Sequence, residues 1–174
     1  MPKELAQQPQ TQTLGRHHDR ASFSCGVEPL DIYIRQRALQ DQDKRASVCW
    51  VLPSNDNPKQ IRGYYTLSAY VVGLRDLPEL QARKLPKYPD VPCAILGRLA
   101  VDSRYHGKGL GEHLLLDAMA KVLTQSASIA TYALIVDAKD DKAAAFYTHH
   151  DFTPFPSSPH RLFLPVATIA QLFE

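Results

Sequence analysis

The chain has little net charge, few cysteines and no long apolar run, and each shortage removes a class of protein. Twenty Lys and Arg against 18 Asp and Glu leave a formal +2 over 174 residues, too little for a chain that coats nucleic acid through bulk charge. The three cysteines, Cys25, Cys49 and Cys93, are odd in number and widely separated. They indicate no disulfide framework and read as reduced, partly buried thiols. No apolar run approaches the ~20 residues that span a bilayer, and the start of the chain lacks the basic-then-apolar pattern of a signal peptide. The expectation is a soluble, cytoplasmic protein with no membrane partner. His149 and His150 are neighbours, so they do not share a helical face as a metal-binding pair would, and no metal is expected.

What is present suits a compact α/β chain: 44% of residues are hydrophobic and 22% charged, the balance of a globular protein. Residues 1–13 are polar and rich in glutamine, and read as a loose N-terminal segment or a short edge piece. Residues 14–174 read as one domain. From Glu28 to Gln40 an early proline, acids in the first turn and apolar Leu30, Ile34, Ala38 and Leu39 at helical spacing predict one amphipathic helix. Ala46 to Leu52 and Gln60 to Val72 flank the turn sequence PSNDNP and predict a hairpin. Residues 76–90, with Pro78, Pro86 and Pro89, read as a connector with at most a short helical piece. Then the pattern becomes strand (Val91 to Val101), helix (Leu110 to Leu123), strand (Thr131 to Val136), helix (Asp140 to His150) and strand (Arg161 to Val166), followed by a short apolar tail.

Between the most apolar strand and the most periodic helix lies Arg104-Tyr105-His106-Gly107-Lys108-Gly109-Leu110-Gly111. The first turn of a helix has unpaired N–H groups and a partial positive charge, and glycine lets a ligand approach them, so the stretch is built to hold a phosphate or pyrophosphate. Spacing narrows the owner. A Walker loop needs Lys followed by Ser or Thr, but Lys108 precedes Gly109; a Rossmann turn needs G-x-G-x-x-G, but Gly107, Gly109 and Gly111 are spaced G-x-G-x-G.

Arg104-x-x-Gly107-x-Gly109 resembles the acetyl-coenzyme A loop of the GNAT superfamily of N-acetyltransferases. Asp140 to Tyr147 (DDKAAAFY), followed by Asp151-Phe152, resembles the superfamily's later motif N-x-x-A-x-x-F-Y with G-F behind it. Phe23-Ser24-Cys25-Gly26 with Leu30-Asp31, Gly63 to Ser68 (GYYTLS), Leu96 to Asp102 (LGRLAVD) and Arg161 to Pro165 (RLFLP) further resemble the acetyltransferase toxins of type II toxin–antitoxin modules. The resemblance spans residues 14–166. It implies the GNAT fold, a mixed and mostly antiparallel sheet flanked by helices, with two central strands splayed around acetyl-CoA. It implies transfer of acetyl to the α-amine of aminoacyl-tRNA, a ribbon-helix-helix antitoxin and a homodimer. A GNAT enzyme acting on a small amine or a protein N-terminus, and a catalytically silent cofactor-binding module, stay open beside it. Two residues depart from the pattern: Asp140 replaces Asn, and Asp151 replaces Gly. An Asp still caps a helix and tolerates a left-handed backbone, but Asp140 puts a negative charge beside a polyanionic cofactor.

The resemblance implies a role for Tyr147 as the acid for the departing thiolate; a phenol with reference pKa near 10 is protonated at neutral pH. It also implies that the backbones of Leu99, Ala100 and Val101 pair with the pantetheine arm. His106, Gly107, Lys108, Gly109, Leu110, Gly111 and Glu112 then supply amides to the pyrophosphate, with Arg104 and Lys108 as extra charge. No Glu lies on Val91 to Val101, so an obvious base is missing. An α-amine with pKa near 7.7 to 8.0 is roughly a tenth neutral at pH 7, an advantage of about 3.5 kcal/mol over a lysine, and hardly needs one. Six basic residues against two acidic ones between Lys59 and Lys87 suggest a basic surface. The candidates for an RNA backbone are Arg35, Arg37, Lys44, Arg75, Arg83, Lys84, Lys87 and Arg98.

Overall fold

The structure is a computed structural model that describes residues 10–174. Most of the segment expected to be loose lies outside the described residues. Gln12–Thr13 form an edge strand, β1, paired antiparallel with β2 (Val48–Pro53) through Gln12↔Val51 and Thr13↔Trp50. The remaining strands are β3 (Ile61–Gly73), β4 (Asp90–Val101), β5 (Ala133–Asp137), β6 (Thr153–Phe155) and β7 (Ser158–Pro165). All seven make one mixed sheet in the order β1-β2-β3-β4-β5-β7-β6. The chain divides into two compact units: residues up to Ser68 with Gly97–Ala118, and Ala69–Leu96 with Met119–Glu174.

In the first unit, β2 and β3 form the expected hairpin, registered from Val48↔Leu67 to Leu52↔Gly63. Phe23, Ile34, Val51, Ile61 and Tyr64 fill its core. Where the sequence predicts one helix from Glu28 to Gln40, there are two, α1 (Glu28–Gln36) and α2 (Ala38–Asp43), broken at Arg37 with φ −119°. The break has a use. It directs Gln42 so that its amide donates to the Leu14 carbonyl (2.8 Å) and accepts from the Cys49 N–H (3.0 Å), satisfying backbone groups that a straight helix would leave to solvent. α1 has no side-chain cap at Val27; instead the buried carboxylate of Asp31 accepts from the Cys25 N–H (2.8 Å) in the approach to the helix.

In the second unit, β5 pairs parallel with β4 through Ala94↔Leu134, Ile95↔Ile135 and Leu96↔Val136, and β4 runs on to Val101 beyond these rungs. β5 is antiparallel to β7 over five rungs from Ala133↔Pro165 to Asp137↔Arg161. Ala133 to Val136 are fully buried, as a strand covered on both faces requires. The short α3 (Glu79–Arg83) lies in the proline-rich connector, and α4 (Leu110–Ser126) begins in the first unit and ends in this one. α5 (Asp141–His149) starts at Asp140, whose carboxylate accepts from the Ala143 N–H at 2.8 Å, so the Asn-to-Asp departure preserves the cap. Asp151 sits at φ 70°, the left-handed position that glycine fills most easily.

Two elements were not visible in the pattern. β6 is three residues long, contains Pro154 and slips register at Phe155, so it shows no alternation. α6 (Val166–Leu172) carries β-branched Val166, Thr168 and Ile169, poor helix formers in isolation; burial of Val166 and Ile169 holds it, as does the bond from the Val166 N–H to the Tyr132 carbonyl (2.8 Å). All three cysteines are free and buried. Among the described residues, no helix is long and apolar enough to cross a membrane.

Asp140→Ala should cost about 1 kcal/mol of unfolding free energy through loss of the cap, and Asp151→Gly should gain roughly 0.5 kcal/mol by relieving φ 70°. Urea denaturation of each variant checks both signs.

Candidate active site

The glycine loop is anchored by one carboxylate. β4 ends at Val101, and Asp102, only 1% exposed, accepts bonds from the Ser24 N–H (3.1 Å), the Arg104 N–H (3.0 Å) and the Arg104 guanidinium (Nε 2.8 Å, Nη2 3.0 Å). Burial pushes this carboxyl up, but the hydrogen bonds from the Arg104 side chain and from the Arg104 and Ser24 amides outweigh it and hold the net value below the usual carboxylate range. Arg104 is therefore tied to the base of the loop by a bidentate pair, and its charge is partly neutralised there. His106 donates from Nε2 to the Val101 carbonyl at 2.7 Å, folding the exposed imidazole back over the strand end.

Gly107 and Gly109 both adopt φ 75°, where a side chain would be strained. A Cβ added at Gly107, Gly109 or Gly111 would meet nothing within 4 Å, so the surface above the loop is open to an approaching group. α4 then begins at Leu110, with the His113 N–H bonded to the Gly109 carbonyl (3.1 Å), and Leu110, Gly111 and Glu112 form its first turn. Cations crowd the same loop. The Tyr105 ring has the Arg62 and Arg104 guanidinium carbons each 5.9 Å and the Lys108 ammonium 5.5 Å from its centroid. An open, glycine-lined helix start with three nearby cations fits a pyrophosphate-bearing group. Arg62 and Tyr105 belong to this cluster although no motif marks them, because only folding brings β3 beside the loop. On β4, Ala100 is buried in the core and offers a ligand only its backbone, whereas Leu99 and Val101 are half-buried.

Tyr147 lies on α5 in the second unit, 8% exposed, edge-on to Phe146 (5.2 Å) and Phe152 (5.4 Å). Burial pushes its phenol up to about 12. The helix end beneath it is fixed: the Tyr147 carbonyl accepts from the His150 and Phe152 N–H groups at 3.0 and 3.1 Å.

The candidate RNA contacts divide between the two units. Arg35, Arg37 and Lys44 are exposed on and after α1 and α2; Arg75, Arg83, Lys84 and Lys87 are exposed around α3. Several have local partners. Arg35 donates to the Phe23 carbonyl, Arg83 pairs with Glu79, and the Lys87 ammonium donates to the Ala82 carbonyl (3.2 Å) at the end of α3. Arg98 is half-buried and stacks 3.4 Å from the centroid of Tyr33. Among the described residues, no three His, Cys, Asp or Glu side chains are grouped to hold a metal. His150 instead donates from Nδ1 to the Phe146 carbonyl (2.9 Å).

The family model for acetyltransferases of the GNAT family matches residues 15–152. The chain belongs to that family. It is 39% identical over 146 residues to a tRNA-acetylating toxin of Mycobacterium tuberculosis, covering 84% of this chain and 85% of that one. Among solved structures it resembles a tyrosine-to-phenylalanine mutant of KacT (TM-score 0.88, 32% identity, 94% and 98% of the two chains covered). It also resembles AtaT complexed with acetyl-methionyl-tRNAfMet (TM-score 0.88, 29% identity, 95% and 99% of the two chains covered). Further likenesses are AtaTR bound with AcCoA (TM-score 0.83, 29%, 95% and 98%) and an AtaT mutant bound to the C-terminus of its antitoxin AtaR (TM-score 0.80, 27%, 94% and 97%).

Gly109→Val forces a β-branched residue to φ 75° and fills the open face of the loop. Calorimetry should show acetyl-CoA affinity reduced at least about 10-fold, the loss of roughly one good contact; unchanged affinity would remove the loop from the cofactor site.

Proposed function

We propose that this chain is a toxin that acetylates the α-amine of the amino acid on charged tRNA, using acetyl-CoA, and so stops translation. The observation that carries the reading is the 39% identity, over most of both chains, to a tRNA-acetylating toxin. The likenesses to AtaT with acetylated initiator tRNA and to AtaTR with AcCoA agree with it. The work would take place in the cytoplasm, where charged tRNA is found. The partner would be an antitoxin of the ribbon-helix-helix type, in keeping with the AtaT–AtaR likeness, and the active form a homodimer.

Acetyl-CoA supplies the acetyl group as a thioester. The amides of His106 through Glu112 hold the pyrophosphate, with Lys108, Arg62 and the Asp102-tethered Arg104 adding positive potential. The backbones of Leu99, Ala100 and Val101 align the pantetheine arm as an added strand. Tyr147 manages the proton. The amine forms the new N–C bond as the C–S bond breaks, and one amine proton must end on sulfur. A phenol near 12 facing a thiolate whose conjugate acid is near 8.5 would lose about 5 kcal/mol by simple ionisation. Tyr147 therefore donates a hydrogen bond to the leaving sulfur and releases its proton only as the amine's proton replaces it. The missing carboxylate base is no obstacle, because roughly a tenth of the α-amine is already neutral at pH 7.

Incubation with charged tRNA and labelled acetyl-CoA should put label on the amino acid. Label on no charged tRNA, with transfer to a small amine, would replace this reading. Tyr147→Phe should lower kcat by about 100-fold, the usual contribution of a positioned acid, while acetyl-CoA affinity stays within about twofold. The pH dependence follows from the direction of the shift. A raised phenol stays protonated, so wild-type activity should rise to a plateau as the amine deprotonates near about pH 8 and show no fall up to about pH 10. A descending limb below pH 10 that disappears in Tyr147→Phe would contradict the assignment.

A further inference from the structure

The end of the β5–β7 ladder carries a polar cluster that the acetyl-transfer chemistry does not use. Asp137 and Arg161 are the last rung, and their side chains make two parallel bonds, Nε to Oδ1 at 2.8 Å and Nη2 to Oδ2 at 3.0 Å. The guanidinium is also placed over Tyr70 of β3, 5.3 Å from the ring centroid. The bonds from Asp137 come first among the causes that raise the guanidinium's pKa. Beside this pair, His160 Nε2 meets Asp141 Oδ1 at 2.6 Å, at the start of α5. A cavity of about 370 Å³ is lined by Asp137, Ala138, Ser158, Pro159, His160 and Arg161. The cavity and Tyr147 belong to the same unit, and Tyr147 lies two turns along α5 from Asp140, about 10 Å by helical rise.

The chemistry of the lining selects among ligands. Arg161 is matched by Asp137, and Asp141 sits against His160, so the cavity offers no surplus positive charge to a phosphate or carboxylate. Ala138 and Pro159 add apolar wall beside these polar groups. Each Asp137 oxygen uses one lone pair on Arg161 and keeps another, with the side chain half exposed, and Ser158 adds a hydroxyl. A rigidly held carboxylate with free lone pairs is a receptor for hydroxyl groups, and recognition of a ribose hydroxyl by an Asp or Glu is a recurrent solution. The volume admits a sugar with part of its base.

We propose that this cavity seats the 3′-terminal ribose of the acceptor tRNA, with Asp137 accepting a hydrogen bond from the hydroxyl next to the aminoacyl ester. The inference rests on the charged-tRNA reading above. In such a substrate one vicinal hydroxyl carries the amino acid and the other is free, only a few bonds from the reacting amine. Fixing the free hydroxyl therefore orients the nucleophile. Arg161 acts as a positioning residue: it locks the carboxylate and touches no reacting atom.

The test compares charged tRNA ending in ordinary adenosine with one ending in 2′-deoxyadenosine, the amino acid held on the 3′ oxygen in the second. Wild-type protein should lose about 10- to 100-fold in kcat/KM on the deoxy substrate, the range for a hydrogen bond to a charged group. Asp137→Asn should lose a similar factor on the ordinary substrate and little more on the deoxy one. Arg161→Lys, which keeps the carboxylate but loosens it, should show a smaller loss confined to the ordinary substrate, and it serves if Asp137→Asn does not fold. Equal wild-type rates on both substrates would overturn the ribose site and leave the charged-tRNA reading standing. Independent, multiplying losses would also overturn the ribose site. Transfer to neither substrate would remove both readings.

Discussion

The glycine loop of this molecule depends on a buried carboxylate. Asp102 collects the Ser24 amide, the Arg104 amide and two bonds from the Arg104 guanidinium at the point where β4 gives way to the glycine loop. A charge that is 1% exposed is tolerable only because every bond it needs is supplied. This arrangement fixes the direction in which the chain leaves the strand, so Gly107 and Gly109 can hold left-handed backbone angles and present the start of α4 outward. A modest set of cations gathers around this loop in a chain with little surplus charge.

Much of this order was legible before folding was considered. The 3.6-residue stripe of α4, the continuous apolar run of β4 and the glycine spacing each reflect a local rule, and local rules are written in consecutive residues. What escaped depends on partners distant in sequence. The break at Arg37 makes sense only when Gln42 is seen bridging Leu14 and Cys49. β6 and α6 exist because neighbouring strands and core accept them, against the preference of Pro154 and the β-branched residues of α6. Of the candidate site residues, the glycines and Tyr147 were named through motifs. Asp102 and Tyr105 fell within quoted motifs without a role assigned to them, Arg62 had no marker, and the Asp137–Arg161 pair becomes visible only through the β5–β7 register. Arg98, counted among the basic candidates for RNA, is stacked on Tyr33.

The chemistry divides along a similar line. In the proposed reaction, binding would fall to backbone amides and to a loop whose shape is enforced, and proton transfer to Tyr147, a phenol that burial has made less acidic. A less acidic phenol stays protonated beside a thiolate. This arrangement suits an acceptor that arrives already neutral. About a tenth of an α-amine meets that condition at pH 7 and far less of a lysine does, so the absence of a carboxylate base on β4 and the proposed acceptor explain one another.

The most direct measurement is mass spectrometry of the aminoacyl-adenosine released by nuclease from charged tRNA after incubation with acetyl-CoA and either wild-type protein or Tyr147→Phe. The account predicts an acetyl group on the α-amine with the wild-type protein and almost none with the variant. An unmodified amino acid with the wild-type protein, or equal acetylation by both proteins, would contradict it.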